Sequence, residues 1–417
     1  MDVDDVISVL ANVLYHVKTR KISVRKAFTE VCRTHKCSSR EYTREELYQL
    51  SRLFISKYYT LKYLCEKHGR LEPTHRVLAR LFLYLYLTEK GVKPPSKLKK
   101  TVLRDLPGLK EGLEEVEAYI KYSFPKWMYY EFLDLLGSVE VEELFSALNK
   151  RVLWLRVNTL KIDVDKAVRE LDETGVRVEV DRDIPYLLRV VESKKPIRTH
   201  RLFREGAIIP QDKASVLVVE ALKPEPGSLV YDFAAAPGVK SSLVMQLTEN
   251  KARIIAIDAS PRRLEAMKKL LKLYGVDDSR VKLVLGDGRY ITLREYGDYG
   301  LVDAPCSSSG AISKDPAIKI FLEEDKIVFE MKKLQIGILS NALKHAERVV
   351  YATCSLMPEE GEEVVLETLS QSINHELREP RVQGSHGYRK YPIHEKVKRL
   401  FPHLHATEGF FIARLEK

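Results

Sequence analysis

Apolar residues recur every three to four positions through the first part of the chain. In the first such stretch they are Val6, Leu10, Val13, Leu14 and Val17, and this spacing places them on one face of a helix. The stretches EELYQLSRLFISKYYTLKYL and HRVLARLFLYLYL repeat the same period. The pattern predicts an all-α domain over residues 1–125, in which GVKPPSKLKK forms a basic, proline-containing loop.

The pattern changes after Trp127. WLRVNTL, VRVEV and YLLRVV are short runs typical of strands, and VDKAVRELDETG after the first of them is typical of a helix that ends at Gly175. The sequence therefore predicts a small α+β unit over residues 126–205.

From residue 206 onward, apolar runs alternate with longer stretches. The runs SLVYDF, ARIIAID, VKLVLGD, YGLVDAP and RVVYATC are separated by enough residues for helices that cross back over a sheet. This alternation predicts an α/β fold with a doubly wound, mostly parallel sheet over residues 206–417. In such sheets, ligands bind outside the carboxyl ends of the strands.

Composition limits the kind of protein. Of the 417 residues, 45% are hydrophobic and 31% charged, which is typical of a globular protein with more than one core. No run of eighteen apolar residues occurs, and the first ten residues lack the basic flank and cleavage site of a signal peptide. We expect a cytoplasmic monomer that does not bind membranes.

The five cysteines are odd in number and scattered, at Cys32, Cys37, Cys65, Cys306 and Cys354. A disulfide framework is not expected from this arrangement, so the thiols are predicted to be reduced. The segment CRTHKC brings two cysteines close in sequence, but nothing completes a tetrahedral set of ligands, and we expect no metal site.

The charge of the chain is uneven. The net charge is +10, and residues 51–100 alone contain 12 Lys and Arg against 3 Asp and Glu. Such a patch favours a polyanionic partner, because lysines and arginines that meet phosphates release counterions. Nucleic acid is the natural partner, and a basic face that meets only solvent is the alternative.

The loop YDFAAAPGVKSS follows the first strand of the predicted sheet and opens a helix. Small residues there let the backbone approach a ligand, and the N-terminus of a helix favours a negative group. The second strand ends at Asp258, where a carboxylate can accept hydrogen bonds from ribose hydroxyls. Asp232 and Asp287 make two further acidic strand ends, and the three suit a nucleoside but would repel a pyrophosphate. This favours S-adenosylmethionine over NAD or ATP.

Cys306 follows the fourth strand and Cys354 ends the fifth, so both thiols would face one crevice if these strands are neighbours. A methyl donor beside two thiols suits methylation of carbon 5 of a pyrimidine, which is a weak nucleophile until a thiolate adds at carbon 6. A carboxyl group such as Asp303 would stabilise the adduct at N3, and a second thiol would help to remove the carbon-5 proton or to expel the first thiol. This chemistry does not decide which thiol attacks, and each cysteine has the alternative of being a small buried hydrophobe.

The segment from Phe203 to the C-terminus resembles the Sun-type (Nop/Sun) family of RNA cytosine-5 methyltransferases. The motifs that carry the resemblance are FREGAIIPQDKAS, DFAAAPGVKSS, AIDASPRRLEAMKKLLKLYGV, GDG, VDAPCSSSG, YATCSLMPEEGEEV and EGFFIARLEK. WLRVNTL matches the RNA-binding unit that precedes the catalytic domain in this family. The helical N-terminal part is similar to the NusB-like domain of one branch, which methylates ribosomal RNA.

The resemblance implies a Rossmann-like methyltransferase domain that uses S-adenosylmethionine. Cys354 would be the nucleophile, and Cys306 would assist its release. The residues implied around the donor and the target base are Ala235, Ala236, Pro237, Gly238, Lys240, Asp258, Arg263, Asp287 and Asp303. The chain departs from the family at Val239, where a second glycine is favoured, and at Ser308 to Lys314, where many members carry an arginine; either departure can affect substrate choice.

If Cys354 attacks, it should be the more acidic thiol. We expect a helix N-terminus and a basic neighbour to lower its pKa. Asp303 stands three residues before Cys306, and a carboxylate so close in sequence is expected to disfavour a thiolate at Cys306.

The expected function is methylation of carbon 5 of cytosine in structured RNA, with small-subunit ribosomal RNA as the target and tRNA as the alternative. A DNA cytosine methyltransferase shares this chemistry, but the chain lacks a Glu-Asn-Val segment. Amino-group methyltransferases place an aromatic residue after Pro-Pro, where this chain has Pro305-Cys306. A different class of function is a non-catalytic RNA-binding assembly factor, against which the two thiols and three acidic strand ends argue.

Overall fold

The computed structural model describes residues 3–39, 42–67, 72–105, 116–371 and 374–417. The chain divides into two compact units. The first consists of Met1–Lys150 and Ala311–Ile327, and the second of Arg151–Gly310 and Val328–Lys417. This division differs from the predicted boundaries at 125 and 205, because residues 126–150 and a short later segment cluster with the N-terminal helices.

The first unit is a helical bundle in its described part. The predicted apolar face of the first helix is confirmed, since the five residues assigned to it from the sequence are all buried. The helices of this unit are α1 (Val3–Arg20), α2 (Val24–Val31), α3 (Arg44–Ser56), α4 (Tyr58–Lys67), α5 (His75–Glu89), α6 (Ser96–Asp105), α7 (Ala118–Lys121), α8 (Lys126–Leu136), α9 (Ser138–Leu148) and, from the later segment, α15 (Ala317–Phe321).

Local sequence explains where some of these helices begin. The Thr43 hydroxyl accepts a hydrogen bond from the Glu46 N–H, and the Glu46 carboxylate accepts one in return from the Thr43 N–H. This capping box satisfies backbone donors that have no partner inside the helix. Thr74 caps α5 in the same way through the N–H of Val77.

Two expectations for this unit were wrong. The basic segment 91–100 is a loop only up to residue 95, because α6 begins at Ser96 and buries Leu98 and Val102, four positions apart, in the core. Cys32 and Cys37 form a disulfide bond. The chain turns back after α2 and brings their Cα atoms to 5.5 Å, within the range for a disulfide bond, whereas the scattered spacing of the cysteines gave no sign of this path.

The segment 311–327 folds as part of the helical unit although it directly follows the motif VDAPCSSSG. Ala317 and Ile320 belong to the hydrophobic core of the bundle. The Asp315 carboxylate accepts the N–H of Val24 at 3.3 Å. Lys319 is fully buried and donates to three oxygen atoms at 2.7, 3.0 and 3.1 Å. These hydrogen bonds offset the free-energy cost of burying an ammonium group.

The second unit begins with a small antiparallel sheet in the order β2-β3-β1-β4. The strands predicted from WLRVNTL, VRVEV and YLLRVV are confirmed as its first three. The elements are β1 (Trp154–Val157), α10 (Val164–Glu173), β2 (Val176–Val180), β3 (Leu187–Ser193), α11 (Arg201–Arg204) and β4 (Ile208–Pro210).

A nine-stranded sheet forms the rest of the second unit. Its strands are β5 (Leu229–Asp232), β6 (Arg253–Asp258), β7 (Val281–Leu285), β8 (Gly297–Asp303), β9 (Ala346–Thr353), β10 (Glu376–Arg378), β11 (Ser385–His386), β12 (Lys398–Leu400) and β13 (Phe410–Glu416). The helices around it are α12 (Lys213–Leu222), α13 (Val239–Leu247), α14 (Pro261–Leu273), α16 (Lys326–Ala342), α17 (Glu362–Leu369) and α18 (Pro402–His405).

The predicted doubly wound α/β fold is confirmed. The strand order is β11-β12-β13-β9-β8-β5-β6-β7, with β10 paired to β13, and the five predicted strands β5 to β9 are mutually parallel. Alternate residues enter the cores on opposite faces, so Val230 packs in one and Leu229 in the other. The strand order reverses between β5 and β8, which places a ligand crevice at their carboxyl ends.

None of the helices in the described ranges has the length and apolar character required to cross a membrane.

Candidate active site

The structure brings the two predicted thiols together at the carboxyl ends of neighbouring strands. β8 and β9 pair in parallel, with Asp303 opposite Ala352. Cys354 directly follows β9, and Cys306 lies three residues beyond β8. The Sγ atoms of Cys306 and Cys354 are 3.3 Å apart, so the two sulfurs are in direct contact.

The hydroxyl of Ser308 contacts both thiols. Its Oγ lies 3.5 Å from the Sγ of Cys354 and 4.0 Å from the Sγ of Cys306. As a thiol, Cys354 donates to this oxygen, and once ionised it can accept from Ser308 and from Cys306 instead. Both neighbours therefore stabilise a thiolate at Cys354.

The two thiols differ in acidity for this reason. Hydrogen bonds from Cys306 and then Ser308 lower the pKa of Cys354 below its ordinary value, against the effect of burial. The pKa of Cys306 is raised well above the ordinary value by its hydrogen bond to Cys354, by burial, and by the charges of Cys354 and Glu360. The more acidic thiol of the pair is Cys354.

The expected causes of this difference were wrong, although its direction is as expected. The groups that lower the pKa of Cys354 are hydrogen-bond donors, where the sequence suggested a helix terminus and a basic neighbour. Asp303 raises the pKa of Cys354, and the carboxylate that acts on Cys306 is Glu360. The strand pairing explains why Asp303 acts on Cys354, because it places Asp303 opposite Ala352, which is two residues before Cys354.

Asp303 and Lys240 form an ion pair that joins β8 to the start of α13. The Nζ of Lys240 donates to Asp303 Oδ2 at 2.6 Å. The lysine side chain is nearly buried and lies 5.5 Å from the centre of the Phe410 ring, whereas the Asp303 side chain is 35% exposed. One face of this carboxylate therefore remains open to a ligand.

Asp258, Arg263 and Ala236 form a second cluster at the end of β6. Asp258 Oδ2 accepts the N–H of Ala236 at 3.2 Å, and Oδ1 accepts the N–H of Ser260 at 2.9 Å. Arg263 lies 3.3 Å from the same carboxylate and donates to the carbonyl of Ala236. Asp258 thus fixes the glycine-containing loop onto the second strand.

The loop itself turns tightly into α13. Gly238 donates its N–H to the carbonyl of Ala235 at 2.8 Å, and the bond between Ala236 and Pro237 is cis. Gly238 has a φ of +96°, and a Cβ at this position would lie 2.8 Å from the side chain of Met267. Glycine is therefore required here both for the backbone conformation and for close packing against α14.

The remaining acidic strand ends differ from each other. Asp287 is held within its own turn by Arg289, whose Nη2 donates to it at 2.6 Å and lowers its pKa. Asp232 is buried, and Ser241 donates to its Oδ2 at 2.6 Å. Its Oδ1 has no hydrogen-bond partner in the described part of the chain. Burial raises the pKa of Asp232 to about 7.

These carboxylates suit the predicted methyl donor, S-adenosylmethionine. S-adenosylmethionine carries a sulfonium, an ammonium and ribose hydroxyls, all of which favour carboxylate acceptors. The crevice offers the partly open carboxylate of Asp287 and the buried Asp232 oxygen, which has no hydrogen-bond donor among the residues that the structure describes. Within the ranges that the structure describes, no group of three or more His, Cys, Asp or Glu is arranged to hold a metal ion.

Glu360 is the residue of this site that the sequence did not reveal. It is fully buried and accepts hydrogen bonds from Ser307 and Ser355, each of which directly follows one of the two cysteines. The motif YATCSLMPEEGEEV contains it, but only the folded chain brings it back to the residue after Cys306.

Comparison with known families agrees with this arrangement. The family described as 16S rRNA methyltransferase RsmB/F matches residues 219–416. The ferredoxin-like domain of RsmF/B-like methyltransferases matches residues 124–197. Together the matched ranges contain all the predicted site residues and strands β1 to β3 of the small antiparallel sheet, whereas β4 lies between the two ranges.

Individual proteins are similar over most of the chain. Ribosomal RNA small subunit methyltransferase B of Klebsiella pneumoniae is 31% identical over 325 residues, which cover 76% of this chain and 72% of that protein. The 28S rRNA (cytosine(4447)-C(5))-methyltransferase of Homo sapiens is 32% identical over 314 residues, 72% of this chain and 38% of that protein. The crystal structure of NSun6 from Pyrococcus horikoshii with SFG, an analogue of S-adenosylmethionine, matches 71% of this chain and 99% of that one, with 26% identity and a TM-score of 0.64.

Proposed function

The chain belongs to the RsmB/F family of ribosomal RNA methyltransferases, and from this membership we propose that it methylates carbon 5 of a cytosine in small-subunit ribosomal RNA through a covalent cysteine adduct. It is an RNA cytosine-5 methyltransferase that uses S-adenosylmethionine.

The residues proposed to hold the donor are those of the loop 235–238 with Asp258, Arg263 and Asp287. When bound there, S-adenosylmethionine supplies the methyl group that carbon 5 receives. Asp258 holds the loop in place by accepting the N–H of Ala236. It is therefore proposed to support binding of S-adenosylmethionine through the loop as well as by direct hydrogen bonds. Lys240 is proposed to act through Asp303, to which it is paired at 2.6 Å.

Cys354 is the proposed nucleophile. Its thiolate adds to carbon 6 of cytosine, the electrons of the 5,6 double bond move into the ring, and a proton taken from solvent at N3 neutralises the charge. Carbon 5 then has enamine character and can take a methyl group. The lowered pKa of Cys354 supports this role, because a thiolate attacks and a thiol does not.

Asp303 is proposed to hold the adduct. Its carboxylate accepts a hydrogen bond from the protonated N3, a bond that is stronger in the adduct than with the free base. Lys240 holds this carboxylate in place through their ion pair.

Cys306 is proposed to assist release. After carbon 5 carries the methyl group, Cys306 gives its own proton to solvent and, as a thiolate, takes the remaining proton of carbon 5. The 5,6 double bond then forms again and Cys354 leaves as a thiolate. The proton at N3 returns to solvent, so the overall reaction exchanges one proton of carbon 5 for a methyl group. A thiol with a raised pKa is a stronger base once ionised, which suits this step.

The observation that carries the proposal is the contact of 3.3 Å between the two sulfurs, beside a carboxylate at the adjacent strand end. The basic segment 51–100 supports an RNA substrate. Small-subunit RNA is favoured as the target because the chain spans 72% of the small-subunit relative and 38% of the human 28S relative.

The test is methyl transfer with mapping of the product. Purified protein is incubated with labelled S-adenosylmethionine and, separately, with unmodified small-subunit RNA, large-subunit RNA and tRNA, and bisulfite sequencing locates the 5-methylcytosine. We expect label at a single cytosine of small-subunit RNA. Label confined to tRNA or to large-subunit RNA would reject the proposed target, and donor binding without transfer to any RNA would reject the proposed catalysis.

A further inference from the structure

One buried carboxylate links the two cysteine loops. The Glu360 side chain is fully buried, and four hydrogen bonds end on it. Two come from Ser307, through its N–H at 2.7 Å and its hydroxyl, one from the hydroxyl of Ser355, and one from the amide of Gln335 at 3.1 Å. Ser307 follows Cys306, so a single side chain holds the residue after each thiol.

The surrounding contacts prevent this carboxylate from moving. The carbonyl of Glu360 accepts hydrogen bonds from the hydroxyls of Tyr351 at 2.7 Å and Thr353 at 3.2 Å, both on β9. Gln335 also donates to the carbonyl of Pro305 at 2.8 Å, directly before Cys306. The group is thus fixed to the sheet on one side and to the Cys306 loop on the other.

A second set of hydrogen bonds joins the same two loops. The hydroxyls of Ser309 and Ser355 are 2.9 Å apart, and the Ser309 hydroxyl accepts the N–H of Leu356 at 2.9 Å. The N–H of Gly310 donates to the carbonyl of Cys354 at 3.0 Å. These bonds fix the distance between the loops, but they carry no charge, so the charge of Glu360 needs a separate explanation.

We propose that Glu360 is a positioning residue with two effects, holding the Cys306 and Cys354 loops in register and keeping the proton of the pair on Cys306. The proposal rests on the covalent mechanism above for its meaning in catalysis. Burying a carboxylate is costly, and a neutral glutamine could accept similar hydrogen bonds at lower cost. The negative charge of Glu360 is explained if it acts on Cys306, because a carboxylate near that thiol opposes the formation of a second negative charge there.

The directions of the titrations agree with the geometry. Glu360 is among the main causes that raise the pKa of Cys306. Its own pKa is raised by burial, against the hydrogen bonds from Ser307, Ser355 and Gln335 that favour its charged form. A thiol that holds its proton can donate to Cys354, which then becomes the thiolate.

The other charged and titratable groups around the pair act differently. Asp303 and Glu408 raise the pKa of Cys354, which opposes its ionisation. Arg399 is fully buried against Glu362 and donates to the carbonyl of Ser355 at 3.4 Å. Its charge is balanced by that ion pair. The phenol of Tyr351 has a pKa well above the ordinary value and stays neutral.

The test is the reaction of each thiol with iodoacetamide as a function of pH, read by peptide mass spectrometry at less than one modification per protein. Neither RNA nor methyl transfer is needed, so failure of the proposed function and failure of this inference are separate results. In the wild type we expect Cys354 to react about tenfold faster than Cys306 near neutral pH, since the thiolate fraction changes tenfold for each unit of pKa.

Three variants separate charge from packing. Glu360→Gln removes the charge and should move the Cys306 profile down by about one pH unit. Ser307→Ala removes the hydroxyl that donates to Glu360 but leaves the charge and the hydrogen bond from the backbone N–H, so the Cys306 profile should stay high. Glu367→Gln neutralises an exposed acid that pairs with Lys332 and should change neither profile.

Three outcomes would overturn the inference. The first is an unchanged Cys306 profile in a Glu360→Gln protein whose melting temperature matches the wild type. The second is a shift in Ser307→Ala equal to that in Glu360→Gln, which would make the role structural only. The third needs no variant and applies even if Glu360→Gln does not fold. It is a wild-type protein in which Cys306 reacts as fast as Cys354 across pH 6 to 9.

Discussion

The two ends of the crevice are built differently. At the thiol end, formed by the loops after β8 and β9, the polar groups are buried and paired, as Glu360, Ser309 and Ser355 are. At the donor end, formed by the loops after β5, β6 and β7, the Asp287 side chain is 36% exposed and one oxygen of the buried Asp232 has no partner in the described ranges.

The difference matches the two tasks. Two sulfurs that must act in sequence need a fixed separation, and satisfied buried polar networks provide it. A site that a small molecule enters and leaves needs polar atoms that are free to bind it, and open carboxylates provide them. Substitutions at the thiol end should therefore change the chemical step, and those at the donor end should change the concentration of donor that is required.

The largest effect is expected for Cys354→Ala. Without the nucleophile, methyl transfer should fall by more than about a thousandfold, because no other group in the pair is placed to make carbon 5 reactive. Transfer of labelled methyl groups to RNA measures it. Cys65→Ala is the matched control, since Cys65 is buried in the helical unit. If Cys354→Ala keeps a tenth of the wild-type rate, the thiol end is not the catalytic end.

The next effect is expected for Asp303→Asn. The change keeps the shape of the side chain but removes the negative charge of the group that accepts a hydrogen bond from the protonated N3 of the adduct. We therefore expect kcat to fall about a hundredfold. The donor concentration for half-maximal rate should change little. A variant in which that concentration rises while kcat is preserved would move Asp303 from the thiol end to the donor end of the comparison.

A smaller effect is expected for Asp258→Ala. Loss of this carboxylate releases the N–H groups of Ala236 and Ser260, and the donor concentration for half-maximal rate should rise about tenfold. RNA affinity should be unchanged. Calorimetry with S-adenosylmethionine and filter binding with RNA measure the two separately, with the exposed Asp278→Ala as control. A loss confined to RNA binding would contradict the assignment.

The smallest effect is expected for Asp232→Asn, in the pH dependence of stability. The pKa of Asp232 is about 7 in the fold and 3.8 ordinarily, so between these values the folded protein binds more protons than the unfolded chain. Stability from this group is therefore lost as pH rises from about 4 to 7. The melting temperature of the wild type should fall relative to that of Asp232→Asn as the pH rises over that range. A constant difference would show that Asp232 is ionised throughout.

The sequence was a good guide where structure follows local pattern. The helical period of α1 and the five apolar runs that became β5 to β9 depend on neighbours a few residues away. The order of β8 beside β9 follows from the rules of doubly wound sheets. Together these patterns predict from the sequence that Cys306 and Cys354 share one crevice.

What the sequence did not reveal depends on contacts between distant residues. The electrostatic partner of Cys306 is Glu360, which is 54 positions away in the chain, whereas the nearby Asp303 acts on Cys354. The segment 311–327 joins the helical unit through Asp315 and the buried Lys319, and its local pattern gives no sign of that partner. Charge and packing at these positions are set by distance in space.

The central claim is that Cys354 attacks and Cys306 releases, and trapping of the covalent intermediate tests it most directly. Each single Cys→Ala variant is incubated with target RNA and S-adenosylmethionine and run on a denaturing gel beside the wild type. We expect a slow-migrating protein–RNA species for Cys306→Ala, where the adduct forms but is not resolved, and no such species for Cys354→Ala. A stable species from Cys354→Ala and none from Cys306→Ala would contradict it and reverse the two roles.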